Sequence, residues 1–164
     1  MGRSEERQGA GSVRGEGTMS RVEAAIALHQ RGANCSQAVL AAFAQELGLD
    51  GELAMRVATG FGGGMGRLAG TCGAVTGAFM SLGLARGMRQ PEEAQAKEAA
   101  YTLVREFARR FAGMHGALAC KDLLGADIGT PEGMRRAKEG NLFATQCAGY
   151  IRDAVRIVEE MLTI

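Results

Sequence analysis

Apolar side chains recur at helical spacing through most of this chain, and a capping residue or a glycine bounds each such stretch. Val39, Phe43 and Leu47 show the pattern, because they fall on one face of a helix that Asn34 can cap and Gly48 can end. The alternation of apolar and polar residues that is typical of half-buried strands is not sustained anywhere. The sequence therefore predicts an all-α, single-domain bundle of six or seven helices with short loops and a glycine-rich loop.

The individual helices follow from caps, apolar stripes and helix-breaking residues. In chain order they are predicted over 21–31, 35–47 and 52–60, from Cys72 after a Thr71 cap, from Pro91, near Cys120, from Thr130 and over 141–162. Gly73 and Gly77 are poor helix formers within the helix that begins at Cys72. Their presence predicts that another backbone approaches this helix closely.

Composition limits the class of protein. The chain has 164 residues, of which 46% are hydrophobic, so one domain can bury a substantial core. Its formal net charge of +1 gives no indication of binding to nucleic acid or to an anionic membrane surface. No stretch approaches the roughly 20 apolar residues of a bilayer span, and we expect a soluble, cytoplasmic protein. Residues 1–18 contain few apolar side chains, which predicts a disordered N-terminal extension before a helical domain over 19–164.

Four cysteines are the main candidates for chemistry. Cys35 and Cys72 lie at predicted helix starts, where the helix dipole and unpaired backbone N–H groups favour the reactive thiolate. We therefore expect Cys35 and Cys72 to be the reactive sulfurs. Cys120 and Cys147 could resolve a mixed disulfide, relay electrons or complete a metal shell.

The separations of these cysteines along the chain are 37, 48 and 27 residues, so no local Cys-x-x-Cys chelate exists. Any shared site must therefore be assembled by the tertiary fold. If all four sulfurs converge, a zinc or iron–sulfur site with Cys35, Cys72, Cys120 and Cys147 as ligands becomes possible. If they pair, a dithiol–disulfide couple is the simpler outcome, and if they disperse, they only fill the core.

The glycine-rich loop is a second candidate site. Gly62, Gly63, Gly64 and Gly66 can adopt the positive φ values that aim several backbone N–H groups at one point, and Arg67 adds positive charge. Such a loop could hold a thiolate, a cluster sulfide or an oxyanionic substrate, or it could simply connect two helices. It does not match a dinucleotide-binding or P-loop motif, because the required third glycine and the Gly-Lys-Ser or Gly-Lys-Thr element are missing.

The two histidines are weaker candidates. His115 precedes Cys120 by five residues and could lend it a proton or a metal-binding nitrogen, although a partly solvated loop histidine is the simpler interpretation. His29 lies on an apolar helix face, where we expect it to form hydrogen bonds within the core.

Four spaced elements of the chain resemble a family of redox-active proteins that is named for the cysteine pattern C_GCAxxG_C_C. In chain order they are Asn34-Cys35-Ser36-Gln37-Ala38-Val39, the loop Gly60 to Gly66 with Cys72-Gly73-Ala74-Val75-Thr76-Gly77, Cys120-Lys121-Asp122-Leu123-Leu124-Gly125, and Cys147. The order here is Cys72-Gly73-Ala74, whereas the family name writes Gly-Cys-Ala. The resemblance runs from about Arg21 to Met161. It implies a small helical protein with a redox or cluster-binding role and defines no substrate.

Two functional hypotheses follow. The first is a redox protein that uses its cysteine thiols for thiol–disulfide exchange or electron transfer, and a thiol-dependent oxidoreductase is one form of it. The second is an iron–sulfur or zinc binding module with cysteine ligands. The sequence does not identify the redox partner, the small-molecule substrate or the cofactor. The apolar helix faces make a homodimer plausible.

Overall fold

The computed structural model describes residues 17–164. A capping residue precedes each of its first two helices. α1 (Arg21–Gln30) starts after Ser20, whose side chain accepts a hydrogen bond from the backbone N–H of Glu23, while the Glu23 carboxylate accepts one from Ser20 N. α2 (Cys35–Ala44) starts after Asn34, which exchanges the same pair of hydrogen bonds with Gln37. These two capping boxes satisfy N–H groups that the helices cannot pair themselves.

The remaining elements complete an all-α domain, as the sequence predicts. They are α3 (Gly51–Ala58), a 3-10 turn (Thr59–Phe61), α4 (Gly62–Met65), α5 (Gly73–Arg86), α6 (Ala94–His115), α7 (Cys120–Leu124), α8 (Pro131–Glu139), α9 (Leu142–Thr145) and α10 (Cys147–Leu162). Within residues 17–164 there is no named strand, and eight of the helices have five or more residues. None of the helices described is both long enough and apolar enough to cross a bilayer.

Three helix starts differ from the sequence prediction. α6 begins at Ala94 because residues 90–93 form a turn, in which Glu93 N donates to Gln90 O at 3.1 Å. α5 is capped by Cys72, because Thr71 is held in an antiparallel bridge with Ala119. The helix predicted over 141–162 is divided into α9 and α10. The expected disordered extension, apart from residues 17 and 18, lies outside the described residues.

The core is built around the contacts of α2, α5 and α10. Its largest fully buried apolar side chains are Phe43, Phe107, Phe111, Leu40, Leu82 and Ile151. α2 and α5 cross at Gly77, where an added Cβ atom would lie 2.8 Å from Ser36 O and 2.9 Å from Val39 Cβ. The predicted close approach of another backbone to α5 is therefore confirmed.

The glycine-rich loop coils in the left-handed sense. Gly63, Gly64, Met65, Gly66 and Arg67 all have φ between 63° and 71°. The loop is closed by its own backbone hydrogen bonds, which include 2.9 Å contacts from residue 66 to residue 62 and from residue 70 to residue 64. The N–H groups of residues 66 and 70 are therefore engaged within the loop, so these two are not available to the anion-holding nest that is one of the two alternatives for this segment.

Candidate functional site

All four cysteines lie at helix starts. Cys35, Cys120 and Cys147 are the first residues of α2, α7 and α10, and Cys72 is the N-cap of α5. The four side chains line one cavity of about 630 Å³. The fold therefore brings together sulfurs that are distant in the sequence, and it places each of them at the positive end of a helix.

Close backbone packing brings Cys72 next to Cys35. Gly73 follows Cys72, and a Cβ atom at Gly73 would lie 3.0 Å from Ser36 N and 3.1 Å from Cys35 Cβ. Only glycine allows the start of α5 to approach the start of α2 this closely. The position of Cys72 relative to Cys35 thus depends on the glycine that separates it from Ala74.

A short bridge brings Cys120 to the same cavity. Cys72 N donates to Leu118 O at 2.8 Å, and Cys120 N donates to Gly70 O at 2.6 Å, on either side of the Thr71–Ala119 bridge. The two cysteines therefore leave adjacent segments of backbone.

Cys35 packs against the buried cluster that contains Cys147, and each of these two thiols is the largest influence on the pKa of the other. A hydrogen bond between their side chains is the main cause of two opposite shifts: it lowers the pKa of Cys147 and, together with burial, raises the pKa of Cys35 well above its ordinary value. The physical picture is one proton held by Cys35 and donated toward the Cys147 sulfur. Cys147 is thus the thiol that ionises most readily.

The other two thiols are held in their neutral form. Burial raises the pKa of Cys72 to about 11, although the backbone N–H groups of Ala74 and Val75 at the start of α5 oppose this shift. Burial also raises the pKa of Cys120 to about 12, with the nearby sulfurs adding to the effect. These pKa shifts run against the expectation that a helix start makes Cys35 and Cys72 thiolates. At Cys72, loss of hydration outweighs the helix dipole, whereas at Cys35 the interaction with Cys147 and then burial raise the pKa.

The arrangement does not present a ready-made metal site. All four cysteines are free thiols, and no group of three or more His, Cys, Asp and Glu side chains within residues 17–164 is placed to hold a metal ion. The donor set has the right chemistry for zinc or an iron–sulfur cluster, but its present geometry does not fit either.

The glycine-rich loop supplies one wall of the cavity. Gly62, Gly63, Gly66 and Arg67 line it, whereas Gly64 does not. Gly64 is instead buried against the following backbone, and a Cβ atom there would lie 2.6 Å from Gly70 N. Its role is to close the loop.

The polar lining of the cavity is cationic. Arg67 and Lys138 line it together with His29, and no Asp or Glu side chain does. His29 is held between two carbonyl groups, with Nδ1 3.0 Å from Ala33 O and Nε2 2.9 Å from Phe143 O. The expected hydrogen bonds of His29 are confirmed, although they lie at the cavity wall.

His115 does not reach the cysteines. It ends α6, and its Nε2 lies 3.1 Å from Asp153 Oδ2 on α10. Its ring packs edge-on against Tyr150, with the centroids 5.0 Å apart. His115 thus supports a cavity residue from behind and does not serve Cys120.

Tyr150 and Lys138 are among the lining residues that the sequence did not identify as part of a site. Tyr150 follows Cys147 by three positions, so it lies on the same face of α10, and its hydroxyl donates to Leu123 O at 2.8 Å. This helical spacing could have identified Tyr150. Lys138 carries no comparable signal, because only the packing of α8 brings it to the site.

Comparison with known proteins gives one match. The family model described as “Putative redox-active protein (C_GCAxxG_C_C)” matches residues 33–161, which include all four cysteines and the glycine-rich loop. No curated protein and no solved structure matches the chain. Because the match covers most of the sequence, the chain belongs to the C_GCAxxG_C_C family, whose description supports a redox role in general terms.

Proposed function

We propose that this protein carries out thiol–disulfide exchange with Cys35 and Cys147 as its redox-active pair. The placement of the two thiols together at one cavity carries the proposal, because a thiol of lowered pKa and a thiol of raised pKa both line a space of small-molecule size. An attacking thiolate with a second thiol in contact is the arrangement that thiol–disulfide exchange requires.

The reaction balances as a two-electron exchange with a disulfide substrate, RSSR. The Cys147 thiolate attacks one sulfur of RSSR, so that a mixed disulfide forms and RS⁻ leaves and takes a proton from solvent. Cys35 then loses its proton and attacks Cys147 Sγ, which forms the Cys35–Cys147 disulfide and releases the second RS⁻. The substrate gains two electrons and becomes two RSH, while the two protein thiols are oxidised. A low-molecular-weight thiol can reverse the sequence.

Cys72 and Cys120 have a different role in this proposal. Their raised pKa values keep them protonated at neutral pH, so they are poor nucleophiles. They surround the exchanging pair without adding negative charge to it. A cytoplasmic location is part of the same proposal, because a reducing thiol pool there would return the pair to its free form.

A cluster or zinc module is the second candidate, since four sulfurs line one cavity. It requires the side chains to move, because they do not present a three-donor group in residues 17–164. Anaerobic purification followed by metal analysis and a visible spectrum tests it. A stoichiometric metal with thiolate charge-transfer bands would favour this candidate over the exchange pair, and a colourless protein without metal would remove it.

Redox titration in dithiothreitol buffers tests the exchange pair. We expect a reversible two-electron transition in the wild-type protein that is lost in both Cys35→Ser and Cys147→Ser and kept in Cys72→Ser and Cys120→Ser. Circular dichroism of each reduced variant checks that it is folded. A transition that survives loss of Cys35 or Cys147 would contradict the proposal.

A further inference from the structure

The cavity that holds the cysteines has two cations and no carboxylate. Arg67 extends from the glycine-rich loop and Lys138 from α8, and both line the cavity without an ion pair to any carboxylate within residues 17–164. The chain as a whole is almost neutral, so this local excess of positive charge is a property of the site. It attracts anions over a distance of several ångströms.

The cations and the cysteine sulfurs lie at different depths in the cavity. Arg67 and Lys138 are exposed, whereas Cys72, Cys120 and Cys147 are buried. The two cations therefore lie nearer to the solvent than these sulfurs do. Charge near the rim of a cavity selects among ligands as they enter.

The size and the apolar part of the lining limit the ligand further. A volume of about 630 Å³ lies in the range of small-molecule sites and is too small for a folded partner. Aliphatic and aromatic side chains form a further part of the wall, namely Leu123, Leu124, Ile128, Met134 and Phe143. The matching ligand has a short aliphatic body and a negatively charged end.

We propose that the substrate of this site is a low-molecular-weight disulfide that carries carboxylate groups, with Arg67 and Lys138 as specificity-determining residues. This inference rests on the exchange reaction of Cys35 and Cys147 proposed above. The carboxylates approach the cations while the disulfide reaches Cys147, and the electron balance is that of the general reaction. Free carboxylate-bearing thiols are then the reduced products.

Three disulfides of similar length separate charge from size. They are 3,3′-dithiodipropionate with two negative charges, bis(2-hydroxyethyl) disulfide with none, and cystamine with two positive charges. The rate at which each oxidises the reduced wild-type protein is measured by trapping the remaining thiols with a maleimide mass tag. We expect the dianion to react about tenfold faster than the dication, with the neutral compound between them, because steering by a cavity of one charge sign changes association rates by about 10-fold or more.

Charge variants test the assignment of Arg67 and Lys138. The double variant Arg67→Gln/Lys138→Gln should lose most of the wild-type ratio between the dianion rate and the dication rate. Arg56→Gln/Arg135→Gln is the matched control, because it removes the same net charge from exposed residues that do not line the cavity. The control should keep the wild-type order.

The outcomes separate this inference from the proposed function. Equal rates for all three disulfides, or an order that the control variant abolishes as fully as the cavity variant, would overturn the substrate assignment and leave the exchange pair intact. Failure of every disulfide to oxidise Cys35 and Cys147 would overturn both. Loss of the charge preference in the cavity variant alone supports the assignment.

Discussion

Cys35 packs against the buried cluster that contains Cys147, although one residue starts α2 and the other starts α10 near the end of the chain. This contact makes the two sulfurs chemically unequal. Cys147 ionises more readily, and Cys35 keeps its proton. The exchange reaction needs this inequality, because one sulfur must attack the substrate as a thiolate while the other stays protonated until the mixed disulfide has formed.

The alkylation rates of the cysteines should follow the differences between their pKa values. Iodoacetamide reacts with thiolates, so at pH 7 we expect Cys147 to be modified before Cys35, Cys72 and Cys120. Cys35→Ala removes the group that lowers the pKa of Cys147, so it should raise that pKa and slow the modification of Cys147. Time-resolved peptide mass spectrometry measures each rate. Cys72→Ala is the control, and faster modification of Cys72 than of Cys147 in the wild type would refute the assignment.

Stability should fall in alkaline solution. Unfolded thiols ionise near pH 9.0, whereas Cys72 and Cys120 in the folded protein stay protonated to about pH 11 and 12. In this window the unfolded state binds fewer protons, so the free energy of unfolding decreases as pH rises, by about 1 kcal/mol per pH unit for each thiol. Urea unfolding under reductant at pH 8.5, 9.5 and 10.5 measures the slope.

The variant Cys72→Ala/Cys120→Ala isolates these two thiols from the other groups that titrate at high pH. We expect its alkaline slope to be shallower than that of the wild type, whatever its stability at pH 7. Identical slopes for the two proteins would mean that Cys72 and Cys120 ionise at the same pH in the folded state as in the unfolded state.

The crossing of α2 and α5 should tolerate no side chain at Gly77. Gly77→Ala would place a Cβ atom 2.8 Å from Ser36 O, so we expect a loss of about 1–3 kcal/mol from overpacking. Gly83→Ala is the matched control in the same helix, because nothing lies within 4 Å of its Cβ position. It should stabilise the protein by about 0.5–1 kcal/mol through helix propensity. Equal effects in chemical denaturation would contradict the crossing.

Two glycines of the left-handed loop have nearly equal φ values but should differ in the stability that an alanine substitution costs. Gly64→Ala and Gly66→Ala both place alanine at φ values above 60°, a strain of about 1–2 kcal/mol. Gly64→Ala additionally brings a Cβ atom to 2.6 Å from Gly70 N, whereas the nearest atom at Gly66 is 3.7 Å away. We expect Gly64→Ala to be the more destabilising by at least about 1 kcal/mol in thermal unfolding. A larger effect of Gly66→Ala would mean that the loop does not close on itself.

Local signals predicted much of the fold. Ser20, Asn34 and Thr130 each cap a helix, and their side chains accept hydrogen bonds from backbone N–H groups three residues later. Glycine spacing predicted the close approach at Gly77. These features depend on a few neighbouring residues, so the sequence alone contains them.

Other features depend on contacts between distant segments. Cys72 caps α5 because Thr71 pairs with Ala119, which no local pattern indicates. Met65 and Arg67 adopt positive φ values that their own propensities disfavour, because the surrounding loop holds them. The thiol pKa values follow from burial and from sulfur–sulfur proximity, and neither is visible before the helices are packed.

Mapping the disulfide of mildly oxidised protein tests directly whether Cys35 and Cys147 form the redox-active pair. Trypsin separates the four cysteines into peptides 32–56, 68–86, 111–121 and 139–152, so each pairing gives a distinct cross-linked mass. We expect one dominant intramolecular product that joins 32–56 to 139–152 through Cys35 and Cys147. A dominant link between Cys72 and Cys120, or four unmodified thiols after oxidation, would contradict the account.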